Sequence, residues 1–170
     1  DAINYGAIGG VIGHEISHGF DDQGSKFDAE GNFKSWWSEE DRTKFEDRAA
    51  CVVKQFGGYE YQPGLFMNGK LTLGENIGDL AGLTIAYDAF MKSLEGKPRP
   101  AVIDGFTPEQ RFFLGWAQVW STKATPEFER FQAGNDSHAL ARWRVNGPLS
   151  NMPQFAAAFG CKQNQPMVRA

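Results

Sequence analysis

A chain of 170 residues with a formal net charge of -4 is long enough for one ordinary domain with a sizeable core. Its 17 Lys and Arg residues are scattered, without the run or basic face that a nucleic-acid partner requires. The longest apolar run, Ala7 to Gly13, holds three glycines and runs into His14, so no membrane segment lies within the chain.

In chain order, Ala2 to about Gly19 predicts a first helix with Asp1 as its candidate cap. Ile3, Ala7, Ile8, Val11, Ile12 and Ile16 recur at helical spacing, which predicts one apolar, buried face. Gly6, Gly9, Gly10 and Gly13 each cost about 1 kcal/mol against alanine, so close tertiary packing has to hold this helix. Asp21 to Gly24 reads as a turn, and Lys26-Phe27 with Asn32-Phe33 as a small hairpin around Asp28 to Gly31. Ser38 with Asp41 opens a second helix whose stripe is Phe45, Ala49, Val52, Val53 and Phe56, stopped by Gly57-Gly58. Tyr59 to Gly69 reads as loop and Lys70 to Leu73 as one short strand.

Glu75 to about Leu94 is apolar nearly all round and predicts a central, buried helix. A Pro-bearing linker, Gly96 to Phe106, precedes Thr107-Pro108-Glu109-Gln110, a helix start with a face of Phe112, Trp116, Val119 and Trp120. Thr125-Pro126 opens a short helix that Gly134-Asn135-Asp136 breaks, and a final helix is expected from about Asn151 to Phe159. The fold class is mainly α with a small β component. Aromatic residues make up 14% of the chain, more than a core of this size needs, so part of them is expected to face another domain.

The chemistry concentrates in Gly13-His14-Glu15-Ile16-Ser17-His18-Gly19. His14 and His18, four residues apart, project from one helical face and can reach one ion. Glu15, rotated by about 100°, is offset from the ligand set and suited to act as general base on a water in an open coordination position. This H-E-x-x-H spacing arises by chance in roughly a few chains per thousand of this composition. A catalytic zinc usually keeps three protein ligands, so a third is owed. The metzincin continuation is excluded, because its Gly and His would fall on Asp21 and Gly24. Glu75 and His138 remain as candidates. Glu75 is favoured, since a buried carboxylate pair with Asp79 calls for a neutralising divalent ion. Asp79 would then accept the second N–H of a ligand histidine.

Asn4-Tyr5-Gly6 with Gly9 to Gly24, Leu73 to Leu83, and Arg144 to Asn151 together resemble the neprilysin family (M13) of zinc metallopeptidases, including its bacterial PepO-type members. The resemblance implies the catalytic lobe of a thermolysin-like zincin, with one Zn2+ per chain held by His14, His18 and Glu75. It implies catalytic roles for Glu15, for Asp79 as supporting acid, for His138 at the oxyanion and for Arg144 at a substrate carbonyl, with Arg142 the nearby competitor for that last role. Ala139-Leu140 stands where many members have Ser-Pro.

Members of the family are several times longer. The expectation is therefore that residues 1–170 are the incomplete catalytic portion of a larger two-lobed polypeptide, without its upstream helical lobe, its substrate-binding edge strand and its C-terminal tail. The partners implied are an oligopeptide substrate and that missing N-terminal lobe, and the location implied is periplasmic, cell-envelope or secreted. Cys51 and Cys161 lack C-x-x-C spacing, and the resemblance places their disulfide partners outside the chain, so no bridge between them is expected. The leading reading is an endopeptidase cutting before hydrophobic residues. The competing readings are a zinc-stabilised, non-catalytic module and a zinc hydrolase acting on a non-peptide bond.

Overall fold

The computed structural model describes residues 1–169. It opens on one helical rod in which α1 (Ala2–Asn4), a π-helical turn (Tyr5–Gly9) and α2 (Gly10–Ser17) follow without a break, ending in a 3-10 turn at His18–Phe20. The Asp1 side chain makes no capping bond.

The buried face of this rod is not the one its apolar pattern predicts. Ile8, Ile12 and Ile16 are 57%, 54% and 64% exposed, and Ile3 is exposed with them. Gly6, Gly10, Gly13, His14 and Ser17 are buried instead. The reason is steric. The rod lies backbone to backbone against α4 (Leu73–Ser93) and α5 (Pro108–Val119). A Cβ on Gly6 would sit 1.9 Å from the Phe112 carbonyl oxygen, one on Gly13 2.8 Å from Gly82 Cα, and one on Gly82 2.4 Å from the His14 amide nitrogen. Only glycines permit such contact, so residue size rather than hydropathy decides which face turns inward.

The main core joins Leu83, Ala86 and Phe90 of α4 to Phe112, Phe113 and Trp116 of α5, with Leu149 and Met152 closing it. Thr107 caps α5 in a complete capping box with Gln110 and Pro108 at the first position, as its sequence predicts. A smaller cluster of Phe56, Met67, Ala133, Ala139 and Leu140 unites the end of α3 (Glu39–Gly57) with α6 (Pro126–Asn135) and the approach to α7 (Ala141–Leu149). The Ser38 hydroxyl caps α3 by accepting the Asp41 amide at 3.1 Å.

The β content differs in place. Within the expected loop, β1 (Glu60–Gln62) pairs antiparallel with β2 (Leu65–Phe66). Where the sequence predicts one short strand from Lys70 to Leu73, Lys70 to Thr72 is a turn and Leu73 opens α4, because the Asn68 side chain accepts the Lys70 and Leu71 amides and bends the chain into the helix. The expected hairpin reduces to a single bridge, Phe27 to Phe33, around an Asp28 carboxylate that accepts the Glu30 and Asn32 amides. The last helix, α8, is Pro153–Phe159. Cys51 and Cys161 are free, and no described helix is long and apolar enough to cross a membrane.

The glycine contact predicts an asymmetric response to alanine. Gly82→Ala should lower unfolding free energy by about 3 kcal/mol through overpacking. Gly57→Ala, where an added Cβ meets nothing within 4 Å, should change it by less than about 1 kcal/mol. Urea denaturation of both variants checks this, and equal midpoints would contradict the close-contact account.

Candidate metal centre

Two helices supply the site. α2 carries His14, buried, and ends at His18, half-buried, its C-cap; the first turn of α4 carries Glu75, with Asp79 one turn later and fully buried. Gly78, between the two carboxylates, lets the His14 ring lie against α4, since a Cβ there would stand 2.8 Å from His14 Nδ1. His14 Nε2 then lies 3.1 Å from Glu75 Oε2, and His18 Nε2 lies 3.7 Å from Glu75 Oε1. One donor atom from each of His14, His18 and Glu75 falls within 4.8 Å of the others.

These donors fit a divalent zinc ion. Two imidazole nitrogens and one carboxylate oxygen form a catalytic zinc set with a position left open. Glu75 Oε2 is buried and accepts no hydrogen bond of acceptable geometry, although His138 Nε2 also stands 3.1 Å from it. A buried carboxylate oxygen facing imidazole nitrogens without a bonded proton is what a cation would satisfy.

Around this set, each histidine turns its Nδ1 toward an aspartate. His14 Nδ1 lies 2.8 Å from Asp79 Oδ1, as the sequence led one to expect. The other two partners went unread. Asp21 Oδ2 lies 2.8 Å from His18 Nδ1, while its Oδ1 accepts the Gln23 and Gly24 amides. Asp136 Oδ1 lies 2.7 Å from His138 Nδ1 and also accepts the His138 amide. Each has a positional signal, three residues after one histidine and two before another, that its resemblance to a turn residue obscures.

Arg144 enters from α7, a helix the sequence did not reveal. It is buried, and donates through Nε and Nη2 to both Asp79 oxygens at 2.8 and 2.6 Å. Its carbonyl accepts the Trp116 indole N–H at 3.0 Å, and its guanidinium carbon sits 3.9 Å from the Trp120 ring centre. Arg142 is exposed and stays apart, over Trp143. Glu15 is exposed.

The whole of residues 1–170 matches the profile of peptidase family M13. The chain belongs to that family. It is 44% identical over 170 residues to Neprilysin-11 of Caenorhabditis elegans, covering 98% of this chain and 20% of that protein. The crystal structure of Mycobacterium tuberculosis zinc metalloprotease Zmp1 in complex with an inhibitor superposes with a TM-score of 0.94 at 44% identity, over 99% of this chain and 26% of that one. PepO from Lactobacillus rhamnosis HN001 gives a TM-score of 0.85 at 37% identity, over 99% of this chain and 25% of that one. The M13 chain thus spans about a fifth to a quarter of the relatives it matches, and its mostly helical fold with one small sheet is the zincin fold of this family.

Burial disfavours the His14 imidazolium, but the Asp79 and Glu75 carboxylates close to its two ring nitrogens outweigh that and raise its pKa from 6.5 to about 9. For Glu75, burial is overcome by the His14 contact and the charges of His138 and Arg144, which bring the carboxyl below its ordinary value. Because the folded pKa of His14 exceeds its unfolded value, the linked stability of the metal-free protein is complete below pH 6.5 and lost as pH rises to about 9. Urea denaturation of metal-free protein across this window should show that fall, and Asp79→Asn should flatten it. A profile level from pH 6.5 to 9 would contradict the proposed proton on His14.

Proposed function

We propose that this chain is the catalytic part of a zinc endopeptidase that hydrolyses oligopeptides on the amino side of hydrophobic residues, with one zinc ion held by His14, His18 and Glu75. The observation that carries the reading is the convergence of those three donors within 4.8 Å in a chain belonging to a peptidase family. When bound, zinc supplies Lewis-acid polarisation of a carbonyl oxygen and acidifies water.

The chain's own residues do the rest. Asp79 and Asp21 each hold an imidazole proton at Nδ1, leaving the Nε2 lone pairs of His14 and His18 for the metal and raising their basicity. Glu15 acts as general base, takes the proton of the attacking water and delivers it to the leaving amine. His138, oriented by Asp136, donates from Nε2 to the developing oxyanion. Arg144, anchored by two bonds to Asp79, presents its remaining Nη1 to a substrate carbonyl. Asp79 thereby serves two masters, fixing both the ligand histidine and the cation.

The rest of the activity belongs to a longer polypeptide. We infer that residues 1–170 form the catalytic domain of a two-lobed protein whose remaining chain covers the exposed Ile8, Ile12 and Ile16. A row of large aliphatic side chains beside a metal helix is an interface rather than a solvated face. That chain would also contribute the edge strand on which a peptide binds by strand addition.

A quenched peptide with an internal Phe or Leu tests the reading. The zinc-loaded protein should cleave it in a chelator-sensitive way, and Glu15→Gln should lower kcat by at least about a hundredfold while keeping zinc bound. Loss of zinc from Glu15→Gln would make Glu15 a ligand and overturn the scheme. Zinc binding with no cleavage by the full-length protein would leave a zinc-stabilised module instead.

A further inference from the structure

A cleft of about 820 Å³ carries His138 and Arg144 on its wall and continues away from them along α6. That size lies within the range of sites that enclose a ligand of drug-like dimensions, and holds a few residues of an extended peptide. Trp120, Phe128 and Leu140 give the cleft an apolar lining; Lys123 and Arg142 give it positive charge.

The charges there are unequally paired. Asp136 is engaged by His138 and Arg144 is bound to Asp79, while Glu129, on the α6 wall, accepts the neutral Gln62 amide at 3.3 Å and keeps its negative charge. Among the described residues neither Lys123 nor Arg142 has a carboxylate within 4.0 Å. Arg142 is nevertheless held in place. Its guanidinium carbon lies 4.3 Å from the Trp143 ring centre, and that ring stacks on Tyr59 at 4.0 Å with an interplanar angle of 1°. A guanidinium held over an aromatic ring by cation–π attraction still has N–H groups free to donate to a carboxylate.

We propose that this cleft reads a carboxylate of the peptide substrate, borne by an acidic side chain or by a free C-terminus near the scissile bond. Arg142 is the principal contact and Lys123 the second charge. The proposal rests on the peptidase reading, in that it takes the reacting carbonyl to lie at His138 and Arg144. The apolar lining accepts the backbone and neighbouring side chains of the same peptide, and the two cations select among peptides that satisfy it equally. Because both cations are exposed, the effect falls in substrate affinity and weakens with added salt.

The test uses the zinc-loaded protein and quenched peptides of one parent sequence. Glu, Gln or Lys is placed in turn at each position flanking the scissile bond, and each peptide is made with a free or an amidated C-terminus. KM and kcat are measured on the wild type, and Kd on Glu15→Gln, so that binding is read without turnover. One position, or the free terminus, should tighten Kd and KM by roughly three- to tenfold over its neutral counterpart. Arg142→Ala should shrink that ratio, Arg142→Glu should invert it toward the Lys peptide, and Lys123→Ala should reduce it further when combined with Arg142→Ala.

Glu, Gln and Lys peptides binding within about twofold of one another at every position, with no effect of amidation, would overturn the proposal. So would a preference that survives unchanged in the double variant. The two readings separate cleanly. Cleavage without carboxylate preference removes this inference and leaves the peptidase, whereas carboxylate-dependent binding without cleavage by the full-length protein removes the peptidase and leaves the carboxylate site.

Discussion

The backbones of α2 and α4 lie in direct contact, with Gly13 against Gly82 and the His14 amide beside Gly82, and the rest of the site depends on that contact. Helices carrying ordinary side chains pack with axes about 8–10 Å apart, which would carry His14 and His18 away from Glu75. Glycine on both sides removes the intervening atoms. Its cost in helix propensity is offset by the burial of Trp116, Phe112 and Leu83 around the same crossing. The scaffold and the metal centre are therefore one construction, since the residues that allow the helices to touch are those that bring the donors together.

Electrostatics then fixes how the donors face. Three imidazoles each meet an aspartate through Nδ1, from Asp79, Asp21 and Asp136, which turns their Nε2 atoms toward Glu75 or the space beside it. The buried Asp79 would be costly alone, and the two bonds from Arg144 compensate it. His138 approaches the same Glu75 oxygen as His14, yet among the described residues only His14, His18 and Glu75 bring three donors within 4.8 Å of one another. This difference favours His14 and His18 over His138 as the proposed ligands.

What the sequence revealed and what it concealed divide along physical lines. The H-E-x-x-H pair and the Glu75–Asp79 pair are one-turn spacings on regular helices, so local periodicity alone places each pair on one face. The Thr107 and Ser38 caps are equally local. The inverted first helix is not, because its apolar periodicity is real while the choice of buried face is made by Phe112 and Gly82, distant in sequence. The same applies to α7. Arg142-Trp143-Arg144-Val145-Asn146-Gly147-Pro148 has little apolar rhythm, and long-range bonds secure it, from the Trp116 indole to the Arg144 carbonyl and from Gln55 to the Gly147 carbonyl. Asp21 was legible as a turn residue, and it is one; its second oxygen holds His18. A pattern reading allots such a residue one role where the fold gives it two.

The account's central claim is that His14, His18 and Glu75 hold one zinc ion and that His138 stands outside its ligand set. X-ray absorption at the zinc edge of the loaded protein tests it most directly. Two imidazole nitrogens and at least one carboxylate oxygen should be found, with the spectrum unchanged in His138→Ala and the metal lost in Glu75→Ala. Three imidazole ligands, with zinc retained in Glu75→Ala and lost in His138→Ala, would contradict it.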